Sequence, residues 1–188
     1  MLSTKLGIMI AVWQEATTIL ANTSYQWQKG EDGLYRSLAK NKTLTVCGIG
    51  KAQAAFALGQ MFNEVSEVIM FGTSGGLGRE EVGSLYLCTE FVEYDMDATG
   101  LGVPAGITPY SGMKSPLISF SNPETIQCIQ DACQAENLPL HFARTISGDH
   151  FMDDPKTAQA KSQQFGAQLV DMETAAAAKI CMLRKKAF

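Results

Sequence analysis

Leu44-Thr45-Val46-Cys47-Gly48-Ile49-Gly50-Lys51 runs directly into Ala52-Gln53-Ala54-Ala55-Phe56-Ala57-Leu58, and the change of pattern across this stretch decides the fold class. The apolar run over 44–49 reads as a strand buried on both faces. Gly48 and Gly50 interrupt it. Residues 51–62 are Ala-rich, with Ala55, Leu58, Met61 and Phe62 at helical spacing. A strand, a glycine turn and a helix make one unit of an α/β sheet.

The same alternation extends outward. Strands are expected over 6–12, 68–71, 84–93, 140–146 and 169–170. Helices are expected over 14–21, 155–165 and 174–183. Another is expected from Pro123 to about Asn137, with Asn122 as its cap and proline at its first position. Residues 94–115 form a long loop rich in Gly and Pro, and such loops usually carry function. The expected architecture is α/β: a single domain with a mixed central sheet flanked by helices. Residues 6–13 have the length of a signal-peptide core, but Gln14-Glu15 follows rather than a small-residue cleavage site. They are read as a first strand.

Composition narrows the function classes. Of 188 residues, 46% are apolar and 18% charged, an ordinary globular mix. Fifteen basic and nineteen acidic side chains give a net charge of -4. That balance argues against nucleic-acid and anionic-membrane partners, which require a basic patch. No apolar stretch approaches the ~20 residues of a membrane span. Five cysteines without a CxxC pair suggest free thiols in a reducing, cytoplasmic setting. With two histidines and no ligand spacing, no metal site is expected.

Single motifs are ambiguous. Gly48-Ile49-Gly50-Lys51 could present N–H groups to an anion, yet it lacks the spacing of a P-loop and the third glycine of a dinucleotide fingerprint. Gly72-Thr73-Ser74-Gly75-Gly76 matches G-x-S-x-G, which would make Ser74 a nucleophile with Asp149 and His150 as partners. That motif requires a helix after the serine, and the following residues are broken by glycine. Glu15, just beyond the first strand, sits where ligands of open α/β sheets bind, but it could equally be a helix-start acid. The two acids of Val170-Asp171-Met172-Glu173 carry the same ambiguity.

Taken in order, the motifs are more specific. Gly48 to Lys51, Gly72 to Leu77, the acidic loop Tyr94-Asp95-Met96-Asp97-Ala98-Thr99, Ser147-Gly148-Asp149-His150-Phe151-Met152 and Val170 to Ala177 together resemble the nucleoside phosphorylase superfamily. Within it they look like the bacterial 5′-methylthioadenosine/S-adenosylhomocysteine nucleosidases. The resemblance covers nearly the whole chain. It implies cleavage of adenine from ribose through an oxocarbenium-like transition state, without a cofactor, in a cytoplasmic homodimer. Glu15 would activate the water. Glu173 would accept the ribose hydroxyls and favour the developing positive charge. Met172 would pack on the sugar, Phe151 would stack on adenine and the Met152 backbone would read its edge. Ser74 and Gly75 would line the pocket. Ile49, Leu101 and Pro109 would line the 5′-alkylthio pocket, partly across the dimer interface.

The resemblance also separates hydrolysis from phosphorolysis. Phosphorylases of the superfamily carry an Arg two residues before the second glycine cluster, and here Met70 stands there. Without that bidentate cation, water is the expected nucleophile. The family's general-acid Asp follows a further strand, which by alignment begins near Phe188. The chain is therefore expected to lack that C-terminal strand and helix. The remaining readings are a hydrolase of another nucleoside such as futalosine, a phosphorylase, a nucleoside-binding protein without turnover, and the Ser74 hydrolase.

Overall fold

The computed structural model describes residues 5–188. Strand β1 (Leu6–Ile10) leads into helix α1 (Trp13–Ala21). Then come β2 (Trp27–Lys29), β3 (Tyr35–Ser37), β4 (Lys42–Val46) and α2 (Lys51–Met61). Next are β5 (Glu67–Met70), the two-residue β6 (Gly75–Gly76) and the long β7 (Leu85–Glu93). The chain closes with α3 (Pro123–Ala135), β8 (Leu140–Ser147), α4 (Pro155–Phe165), β9 (Leu169–Asp171) and α5 (Thr174–Leu183).

The mixed α/β architecture matches expectation, with the strands divided between two sheets. The first has the order β2-β3-β4-β1-β5, with β1 parallel to both β4 and β5. The second has the order β6-β9-β8-β7, with β8 parallel to both neighbours. The chain passes from β5 to β6, and so from one sheet to the other, through residues 71–74.

The β2–β3 hairpin was not foreseen. Its strands are short and only half-buried at best, so they carry little hydrophobic periodicity. Asp32-Gly33 was the available signal, a hairpin dipeptide in which Gly33 takes φ +82°.

Caps follow the sequence closely. The Asn122 side chain accepts from the Glu124 N–H at 3.0 Å, with Pro123 in the first turn. Asp154 does the same for α4 through Thr157. Helix α5 buries Thr174, Ala175, Ala176, Ala177, Ala178 and Cys181. Ala177 and Cys181 join the core of Met9, Leu58 and Val68, while Ala175 and Ala178 pack with Phe91 and Ile118. A helix buried on so many sides needs small side chains to pass between its neighbours. Its N-terminus is thereby fixed between the two sheets.

Candidate functional site

Because β1 stops at Ile10 and α1 begins at Trp13, Glu15 falls in the first helical turn beyond the strand's carboxyl end. Its Oε1 accepts from the Thr73 N–H at 2.8 Å and from the Thr73 hydroxyl at 2.7 Å. Its Oε2 is buried with no hydrogen-bond partner among the described residues. A Cβ on Gly72 would lie 2.9 Å from that oxygen, so glycine there is what admits the carboxylate. In the sequence Gly72 and Thr73 carried no role of their own beyond membership of the glycine cluster.

Glu173 lies at the start of α5 and is 5% exposed. Its Oε1 accepts from the Gly50 N–H at 2.7 Å, and its Oε2 from the Met172 N–H at 3.2 Å. Burial pushes this carboxyl above its ordinary value. The Gly50 N–H opposes the rise, and the charges of Asp171 and Glu15 add to it.

Asp171, which looked equivalent in sequence, is committed elsewhere. It accepts from the Ser147 hydroxyl, from the Glu173 and Thr174 N–H groups and from the Thr174 hydroxyl. Burial raises its pKa against those bonds. Asp171 thus spends its carboxylate on the β9–α5 turn, while Glu173 takes the Gly50 N–H from across the site.

Glu15, Ser74 and Glu173 line one cavity of about 690 Å³, together with Met70, Phe71 and Thr174. The cavity continues along Leu85, Leu87 and Phe91 of β7 to Ile126 and Ile129 of α3 and to Phe188. Six carboxylates line it: Glu15, Glu67, Glu80, Glu81, Asp171 and Glu173. Among the described lining residues there is no Lys, Arg or His. Such a wall suits a developing cation and repels phosphate. Met70, at the position of the missing arginine, is part of it.

The other expected residues do not line this cavity. Gly75 pairs with Val170 in the sheet. Phe151, Leu101 and Ile49 are 74%, 70% and 59% exposed. Pro109 and Met172 are half-buried, and Met152 packs against the cluster around Val92 and Phe165. The serine-hydrolase arrangement is absent. A strand follows Ser74, and no hydrogen bond joins Ser74 to His150 among the described residues. The Asp149 carboxylate accepts from the Lys51 N–H instead. The five cysteines are free thiols, and burial pushes that of Cys47 up to about 11. No group of three or more His, Cys, Asp or Glu among the described residues could hold a metal ion. No helix among them is long and apolar enough to cross a membrane.

The model of a family described as the phosphorylase superfamily matches residues 5–188. The chain is similar to a 5′-methylthioadenosine/S-adenosylhomocysteine nucleosidase of Thermotoga maritima, 31% identical over 156 residues, 80% of this chain and 64% of the relative. It is also similar to the Staphylococcus aureus protein of that name, 26% identical over 182 residues, 92% of this chain and 78% of the relative. The chain thus spans a little under two thirds of the length of the Thermotoga relative. The fold matches a solved Helicobacter pylori futalosine hydrolase with a TM-score of 0.89 at 22% identity, covering 98% of this chain and 84% of that one. It matches a putative nucleosidase of the same kind from Francisella philomiragia with a TM-score of 0.89 at 24% identity, covering 98% and 82%.

Proposed function

This chain belongs to the phosphorylase superfamily, and on that premise we propose that it is an N-glycosidase acting on 5′-methylthioadenosine and S-adenosylhomocysteine, releasing adenine by hydrolysis. Glu15 carries the reading. One of its oxygens is pinned by Thr73, and the other is buried without a partner among the described residues, in the cavity that Glu173 shares. That free oxygen holds the water and takes its proton as the water oxygen bonds to the anomeric carbon. Glu173 accepts the ribose hydroxyls, and the negative wall stabilises the positive charge that grows on the sugar. The family reading assigns Phe151 and Met152 to the adenine, Met172 to the sugar and Ser74 and Gly75 to the pocket wall; of these, Ser74 lines the cavity itself. Ile49, Leu101 and Pro109 surround the 5′-thioether. The exposure of Ile49, Leu101 and Phe151 supports a homodimer that covers them, and the free thiols suit the cytoplasm.

The test is adenine release from methylthioadenosine with and without phosphate. Release independent of phosphate, with methylthioribose as co-product, is expected. Formation of a sugar 1-phosphate would replace this reading with a phosphorylase. Turnover of futalosine alone would replace the substrate.

A second part of the proposal concerns the outer half of the cavity. It lies between β5 and β7, each the last strand of its sheet. Ala187 already pairs in parallel with Glu67, and its carbonyl accepts from the Val68 N–H at 3.0 Å. We propose that this space seats one further strand parallel to β5, which joins the two sheets and brings the acid that protonates the purine. A longer chain with that segment should turn over about 10²–10⁴ times faster than residues 1–188 alone. Equal rates would sink this part.

A further inference from the structure

Three residues outside the cavity close a hydrogen-bonded ring. The Lys51 N–H donates to Asp149 Oδ1 at 2.8 Å. The Asp149 N–H donates to Asp95 Oδ2 at 2.9 Å. The Lys51 ammonium returns to Asp95 Oδ1 at 2.6 Å. Gly50, at the N-cap of α2, has no side chain to satisfy the first N–H groups of the helix. Two carboxylates from distant segments do so instead. Glu173, 123 residues away, takes the Gly50 N–H, and Asp149, 98 residues away, takes that of Lys51. The ribose acid and the segment carrying Phe151 and Met152 are therefore fixed to adjacent peptide groups of one helix end.

We propose that Asp149 is a positioning residue that couples the base grip to the ribose grip, with Asp95 and Lys51 holding it in place. The proposal rests on the nucleoside reading above. Hydrogen bonds at exposed positions contribute little to global stability, so the ring's effect falls on geometry. A site that holds base and sugar in one register binds the intact nucleoside better than either piece, and a small misplacement of one grip forfeits that advantage.

The experiment compares methylthioadenosine and free adenine binding by calorimetry in the wild type, Asp149→Ala and Asp95→Asn. Both variants should bind methylthioadenosine about tenfold more weakly, with adenine affinity changed less than twofold. A parallel loss for both ligands makes the ring merely structural and overturns the proposal, as does no loss at all. A ligand-free arm keeps the two readings apart. Amide exchange over residues 148–152 should quicken about tenfold in Asp95→Asn, and unchanged exchange overturns the ring. If the wild type binds neither ligand, the nucleoside reading falls, and the exchange arm still decides whether the ring fixes this segment.

Discussion

The Gly50 N–H points at the Glu173 carboxylate from 2.7 Å, joining a glycine turn to an acid 123 residues further along the chain. Gly50 holds φ +99° and ψ 158°, a region in effect reserved for glycine. A Cβ there would also approach Asp149 Oδ1 to 3.1 Å. Gly50→Ala should therefore cost about 1–3 kcal/mol, lowering Tm by roughly 2–4 °C per kcal/mol. It also moves the donor from Glu173, and nucleoside affinity should fall about tenfold or more. Melting and calorimetry on one preparation check both. A variant with unchanged Tm and affinity would refute the role given to this turn.

Glu173 predicts a pH dependence with a defined sign. Burial, with the charges of Asp171 and Glu15, raises the pKa of its carboxyl above the ordinary 4.5. Ionising it costs more in the folded state than in the unfolded one. The penalty is absent well below pH 4.5, grows as pH rises to the raised folded value, and is constant above that. Glu173→Gln should therefore melt higher than wild type at pH 7–8, with the gap closing as pH falls towards 4. The same change should weaken ribose binding sharply, since one of the two accepting oxygens becomes an NH2 donor that cannot accept a hydroxyl. Equal Tm values across the range would contradict the assignment.

These two predictions rest on features with unequal visibility in the sequence. The strand–glycine–helix units announced the α/β class, and the starts of α3 and α4 agree with the pattern because Asn122-Pro123 and Asp154-Pro155 mark them locally. The hairpin escaped because a three-residue strand has almost no periodicity. At the site, Glu15 and Glu173 were legible as acids at strand ends. Only the family resemblance separated Glu173 from Asp171, because the physical difference depends on Ser147, Thr174 and Gly50 arriving from other elements. The Asp95–Asp149–Lys51 ring is invisible for the same reason. It is made of tertiary hydrogen bonds between segments whose composition alone suggests a solvated loop.

Glu15→Gln separates binding from chemistry. The amide oxygen can still accept from Thr73, so the turn over 71–74 should stay in place. The second oxygen is lost as a base, and adenine release should fall about 10²–10⁴-fold. Dissociation constants for methylthioadenosine should stay within about threefold, since the proposed mechanism gives the ribose to Glu173 rather than Glu15. Loss of both binding and turnover would mean that Glu15 is a ligand contact and that the nucleophile is activated elsewhere.

Gly148→Ala tests how tightly the 147–152 segment is seated. A Cβ would meet the Tyr94 ring at 2.6 and 2.7 Å and Asp95 Cγ at 2.9 Å. Tyr94 is buried, and its hydroxyl donates to the His150 carbonyl at 3.0 Å, so the ring cannot swing aside without breaking that bond. Overpacking of this kind costs about 1–3 kcal/mol. Here the easier relief is for the segment to lift away and carry Phe151 and Met152 with it. The expected result is a modest fall in Tm joined to a large fall in nucleoside affinity. A large loss of Tm with unchanged affinity in the folded fraction would show that the backbone of residues 147–152 holds its place and that the core yields instead.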